Sequence, residues 1–260
     1  FFGDYDSIDN SQIDTSSVLA GFTIRNGFGS NGWSNNSGGG IYMQGCSPTL
    51  RDLIIENNFA NTGAGIYARN YGFPVIRTGF ENIIIRNNEG QHSIGMTVSS
   101  AYSGDGPEKF VILNNIVIEN NNGTDVCGGI EASSITLKNS IIRDNTALNN
   151  EVGGGDFSYC TLINVLVEGN RGHNMGLRLR GPNTLINVTT SNNYKRYPDD
   201  ELLGVHIDYG HINLVNCIFM DKLYVNDWGE TTLNLANNNT FGGTEYSNSS
   251  MVTINDWGGN

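Results

Sequence analysis

Between Gly169 and Pro198 the chain carries Arg171, His173, Arg178, Arg180, Lys195 and Arg196 and no aspartate or glutamate, although its net charge is −12. A positive block inside an acidic protein marks a place where an anion can be held. Guanidinium groups there would neutralise a carboxylate, and Arg180, Lys195 or His206 would stand as the base that removes a proton beside it. Arg178, Arg180, Lys195 and His206 are therefore the candidate catalytic groups. Upstream, Glu131 and Asp156 are two acids that would repel each other on adjacent strands unless a base or a cation such as Ca²⁺ sat with them. Near the start, GDYDSID offers Asp4, Asp6 and Asp9 as a second set of Ca²⁺ ligands. The glycine and terminal glutamate of an EF-hand loop are misplaced there, so a solvated acidic turn is the simpler reading. Ca²⁺ is the only cofactor these residues raise.

What would position them is a repeat. TLRDLIIENN, starting at Thr49, returns as FENIIIRNN from Phe80, LNNIVIENN from Leu113, TLKNSIIRDN from Thr136, TLINVLVEGN from Thr161 and TLINVTTSNN from Thr184. The copies lie roughly 23 to 33 residues apart, a solenoid period with variable loops. Aligned, they give a polar column of Asp52, Asn82, Asn115, Asn139, Asn164, Asn187 and Asn216. Asparagine tolerates left-handed turns, and its amide both donates and accepts, so stacked turns can bond continuously. Asp52, an acceptor only, suits the first rung. Two residues upstream runs an apolar column of Leu19, Leu50, Phe80, Leu113, Leu137, Leu162, Leu185 and Leu214.

A glycine-opened strand recurs as well: GIYMQ at Gly40, GIYAR at Gly65, GMTVS at Gly95, GIEAS at Gly129, GDFS at Gly155, GLRLR at Gly176 and GVHID at Gly204. Its period of two points Ile41/Met43, Ile66/Ala68, Met96/Val98, Ile130/Ala132, Leu177/Leu179 and Val205/Ile207 inward. Outward it sets one row of Tyr42, Tyr67, Thr97, Glu131, Asp156, Arg178 and His206, and another of Gln44, Arg69, Ser99, Ser133, Ser158, Arg180 and Asp208. Cross-strand pairs Asp156–Arg178 and Arg180–Asp208 would hold these rows without any ligand. With a ligand, the binding surface comprises Tyr42, Tyr67, Arg69, Glu131, Asp156, Arg171, His173, Arg178, Arg180, Lys195, Arg196, His206 and Asp208. Short strands without helical periodicity predict an all-β fold, a single parallel β-solenoid of about 8–9 coils on an asparagine ladder. Residues 1–260 form one domain on this reading, with 1–17 a partial leading coil and 18–260 the repeats.

With GGGI opening a strand and Asn-Asn closing one, the chain resembles the right-handed parallel β-helix (pectate-lyase-like) superfamily, and the repeats of secreted bacterial surface proteins such as the polymorphic outer-membrane proteins. The resemblance implies a right-handed coil, an extracellular or bacterial cell-surface location, and a polysaccharide site in the groove of the first sheet. The pectate-lyase Arg-x-Pro-x-x-Arg run does not occur. Of the polygalacturonase pattern only isolated fragments stand, PDD at Pro198 and GHN at Gly172. The expected function is a non-catalytic module for adhesion, glycan binding or surface display, expected to be a fragment of a larger extracellular protein; the alternatives are a polysaccharide lyase or glycoside hydrolase acting on an acidic polysaccharide in the groove of the first sheet, and a passive stalk.

Composition narrows the partners. The acidic balance speaks against nucleic acid, and no apolar run approaches the roughly 20 residues of a membrane span. Cys46, Cys127, Cys160 and Cys217 form no metal-like spacing and read as small core or turn residues rather than disulfides. Another outward position reads Thr23, Ile54, Ile84, Val117, Ile141, Leu166, Thr189 and Ile218: either exposed β-branched residues that favour strands, or a stripe that packs on a loop, a domain or a second copy. Beside it Arg25, Glu56, Arg86, Glu119, Arg143 and Glu168 alternate in sign, which suits a register-fixing ladder. The uncapped ends invite further pairing. Trp228 and Trp257, each in an Asn-Asp-Trp-Gly turn, would stack on sugar or pack on the end of the rod.

Overall fold

The computed structural model describes residues 13–29, 36–69, 78–100, 111–149, 152–173, 175–195, 203–226, 229–247 and 252–258. Within them the chain is a parallel β-solenoid. Each coil lays down a strand in a first sheet (Ile66–Arg69, for example), a long bent strand in a second (Gly79–Arg86) and a short one in a third (Glu89–His92). The next coil stacks in parallel register on all three, at Met96–Ser99, Val111–Glu119 and Asn122–Gly123. The second sheet continues in this way from Val18–Ala20 to Val252–Asp256.

The asparagine column forms as read and bends the long strands. Asp52, Asn82, Asn115, Asn139, Asn164, Asn187 and Asn216 all have φ between 52° and 56°, the left-handed conformation that asparagine and aspartate enter most readily after glycine. The side chains bond along the stack toward the first rung: Asn82 Nδ2 donates to Asp52 Oδ1 at 2.9 Å, Asn115 to Asn82 at 2.8 Å, Asn164 to Asn139 at 3.0 Å and Asn187 to Asn164 at 2.9 Å, while between these runs the column slips by one residue, Asn139 Nδ2 donating to Asn114 Oδ1 at 2.9 Å instead of to Asn115. Asp52 receives without donating, and the Asn82 amide holds its carboxyl below the ordinary aspartate value. This ladder lies on the surface.

A second, buried ladder stands at the next corner. Asn58, Asn88, Asn121, Asn145, Asn170 and Asn193 follow the second-sheet strands and are enclosed. Each amide donates to Oδ1 of the following rung, Asn88 to Asn121 at 2.9 Å, Asn121 to Asn145 at 2.9 Å and Asn145 to Asn170 at 3.0 Å, and also to a carbonyl on the preceding rung. The same Oδ1 accepts the backbone N–H of the asparagine before it, as Asn145 does from Asn121 at 3.1 Å. The run ends on Asp221, whose Oδ2 accepts from Asn193 at 2.9 Å. The two ladders thus donate in opposite directions, and each finishes on an acceptor-only aspartate.

The glycine column is explained by this neighbour. A Cβ on Gly95 would stand 2.5 Å from the Gly129 carbonyl and 3.0 Å from Asn121 Nδ2, and one on Gly176 would overlap Asn193. The glycines that open the first-sheet strands therefore make room for the buried amides. Inside, the predicted inward residues from Ile41 to Ile207 join the Leu50 column in one continuous apolar core. Phe157 folds its ring over Gly155, filling the space a side chain would take there. The four cysteines are free and buried, with Cys217 pushed up to about 11 by burial.

Removing a buried rung should cost far more than removing a surface one. Asn145→Ala strips both the amide and the acceptor that its neighbours use, an expected loss of about 2–4 kcal/mol. Asn139→Gly keeps the left-handed bend and should lose under about 1 kcal/mol. Urea denaturation checks both, and equal midpoints for the two variants would refute the buried ladder's weight. The thiols give a second check. At pH 8 the native protein should leave all four unmodified by a thiol reagent over the minutes in which the urea-unfolded chain reacts completely.

Candidate functional site

The first sheet carries its outward row in the register expected. Tyr42 pairs with Tyr67, Tyr67 with Thr97, Thr97 with Glu131, Glu131 with Asp156, Asp156 with Arg178 and Arg178 with His206. The row then continues to Tyr224, whose ring meets His206 edge-on with centroids 5.0 Å apart. Tyr224 was missed because its strand, KLYV, lacks the opening glycine used to align the others.

Most of this row is covered. Tyr42 and Tyr67 stack with ring centroids 5.2 Å apart and both are buried. Asp156 has no exposed surface. Its Oδ2 meets Arg178 Nη2 at 2.8 Å and Arg180 Nη2 at 2.9 Å, while Arg180 Nε donates to Oδ1 at 3.0 Å. One carboxylate thus holds two guanidiniums from the following rung, one of them by two parallel bonds. Burial pushes the Asp156 carboxyl above its ordinary value, the Arg178 and Arg180 charges pull against that, and Glu131 adds to the rise.

Glu131 is engaged from the other side. Arg69 Nη2 reaches across the Thr97 rung to Glu131 Oε1 at 2.6 Å, and Ser93 Oγ donates to Oε2 at 2.5 Å. Small side chains at Thr97 and Ser99 leave the guanidinium its path. The repulsion between Glu131 and Asp156 is met by these arginines, and among the described residues no group of three or more His, Cys, Asp or Glu side chains is placed to hold a metal ion.

The second outward row departs from its reading at one point. A register shift between Leu179 and Arg180 sets Arg180 opposite Tyr209 rather than Asp208. The expected Arg180–Asp208 pair is replaced by Arg180–Asp156. Asp208 instead lies 3.3 Å from His206 Nε2 and 3.9 Å from Arg178 Nε. The extra residue in the Leu203–Val215 strand, which runs from the first sheet into the second without a break, is what displaces Asp208. Gly210 makes that corner at φ 106°, where a Cβ would stand 2.5 Å from the Gly181 backbone.

The positive window is divided by the fold. Arg178 and Arg180 lie on the first sheet, whereas Arg171 belongs to the third-sheet strand Arg171–Gly172 and His173 to the turn after it. Lys195 ends the next third-sheet strand, paired by its backbone with Gly172. Arg196 and the residues Asp4, Asp6, Asp9 and Trp228 lie outside the described residues. Trp257 is exposed beyond the last strand.

On the second sheet the alternating row is in register throughout. Arg86 pairs with Glu56 at 2.8 Å and Arg143 with Glu119 at 2.7 Å, with Arg25 beside Glu56 and Glu168 beside Arg143. No family model, curated protein or solved structure matches the chain.

The cluster on the first sheet should behave as a clamp between coils. Asp156→Ala leaves Arg178, whose side chain is 11% exposed, beside an empty place, with an expected loss of about 3–5 kcal/mol. Replacing Asp156, Arg178 and Arg180 together by Leu, Met and Met should recover most of it. Chemical denaturation of both variants tests this. A loss for Asp156→Ala no larger than that of the exposed control Glu81→Ala would show that the cluster holds nothing together.

Proposed function

We propose that the chain is a non-catalytic β-solenoid module of an extracellular or bacterial cell-surface protein, serving adhesion, glycan binding or surface display. The observation that carries this reading is the mutual engagement of the candidate groups on the first sheet, Arg178, Arg180 and His206. Arg178 and Arg180 both lie on Asp156, Arg69 lies on Glu131, and His206 lies beside Asp208. A lyase needs a base held ready for the substrate's proton and a cation turned toward its carboxylate; here the arginines face carboxylates of other coils and His206 lies beside a carboxylate of its own strand. The repeat pattern's resemblance to the pectate-lyase-like superfamily and to bacterial surface repeats supports the extracellular setting by analogy of fold.

Within this reading an acidic surface glycan meets the rim of the cluster, where Arg180 is 33% exposed and Arg69 25%. Arginine suits carboxylate recognition because its planar fork donates two parallel bonds. A buried aromatic platform is no sugar stack, so Tyr42 and Tyr67 serve packing in this scheme.

Incubation with a panel of acidic polysaccharides, with and without Ca²⁺, should yield no new reducing ends and no unsaturated product. The same glycans immobilised should retain the protein in a salt-sensitive way, several-fold less for Arg180→Ala. New ends that disappear in Arg178→Ala would replace this reading with the lyase or hydrolase one.

A further inference from the structure

Three rows run side by side along the outer face of the second sheet. The surface asparagine ladder forms one edge and the alternating charges the other. Between them lies the apolar row, in continuous register from Thr23 through Ile54, Ile84, Val117, Ile141 and Leu166 to Thr189 and Ile218. Ile54 to Leu166 are half-buried, and Ile218 is exposed. A shallow depression of about 320 Å³ follows the seam between ladder and stripe, lined by Asn139, Ile141, Asn164, Leu166, Asn187 and Thr189.

We propose that this face is the contact between two copies of the chain, related by a two-fold axis lying in the face, parallel to the strands, between the Arg86 and Glu119 rungs. The charge row selects this arrangement. Read along the stack it runs Arg25, Glu56, Arg86, Glu119, Arg143, Glu168. A two-fold axis there reverses the row of the second copy, so every arginine meets a glutamate: Arg25 faces Glu168 of the second copy, Glu56 faces its Arg143 and Arg86 faces its Glu119. Two copies with parallel stacks, related by an axis along the stripe, would instead lay each charge row over the other copy's asparagine ladder and leave its charges without opposite partners. The same axis lays stripe on stripe, Ile84 over Val117 and Ile54 over Ile141.

The guanidiniums are the outer members of the intrachain pairs. Arg86 and Arg143 are 38% and 42% exposed, against 14% and 13% for Glu56 and Glu119. Arginine has five N–H donors, enough for a second carboxylate. The contact is modest in size. Five rung spacings of about 4.8 Å by three rows about 7 Å apart give roughly 500 Å² on each copy, near the lower limit for a specific interface. The dimer is accordingly a weak one, in the micromolar range or above.

Sedimentation of the full chain from about 1 to 200 μM should show a monomer–dimer equilibrium that weakens severalfold between low and high salt. Ile84→Lys/Ile141→Lys should be monomeric, with an unchanged denaturation midpoint showing that the fold is intact. Orientation is read from a spin label on Ser191→Cys, which lies one rung beyond Glu168; the native thiols are buried. Antiparallel copies place the two labels about 34 Å apart, seven spacings, and parallel copies place them within about 15 Å. A monomer throughout, a dimer that survives the lysine variant, or close labels would each overturn the proposal.

Discussion

At the corner that follows each second-sheet strand the chain must turn inside the molecule, where backbone N–H and C=O groups have no water to meet. The buried asparagines solve this. Each Nδ2 serves a carbonyl of the coil before and the oxygen of the asparagine after, while each Oδ1 takes an amide and a backbone N–H. A buried polar group left unpaired costs about as much as several good contacts return, so a coil in this stack cannot change that residue alone. The strand spacing and the glycine column both depend on it, because the amides need the room that Gly95 and Gly176 leave.

The polar rows follow from that stacking. Parallel coils in strict register turn any position of the repeat into a line of side chains one strand spacing apart. Lines of like charge would push the coils apart, and the chain avoids them in two ways. On the second sheet the sign alternates from coil to coil, and the pairs Glu56–Arg86 and Glu119–Arg143 form. On the first sheet two acids do lie next to each other, at Glu131 and Asp156, and arginines from both directions close on them. That second solution is buried, so its worth lies in holding adjacent coils in place rather than in any large net gain.

Much of this was legible in residue order. The repeat, the left-handed column at Asn82 and its successors, the inward pairs from Ile41/Met43 to Val205/Ile207, and the row from Tyr42 to His206 all depend on local pattern and a fixed period, and a solenoid converts these directly into neighbours. The aspartate at the start of the surface ladder was readable for the same reason. The buried ladder was present as the second residue of the Asn-Asn, Asp-Asn or Gly-Asn pair that closes each second-sheet strand. Type alone does not separate it from the turn residue before it, since only burial distinguishes the two.

The sequence by itself determined the parallel stack, its surface ladder and which side chains share a face, because in-register repetition makes spacing along the chain equivalent to position in space. The tertiary structure decided which charges meet. Arg180 lies on Asp156 and not on Asp208 because one irregular residue in the Leu203–Val215 strand moves the later coil out of step. Arg69 finds Glu131 across an intervening coil because Thr97 is short enough to pass over. Arg171 lies on another sheet because it belongs to the third-sheet strand Arg171–Gly172, whereas Arg178 and Arg180 belong to the first-sheet strand Met175–Arg180. Long side chains choose partners by reach and by the space their neighbours leave, and neither quantity is written in the order of residues.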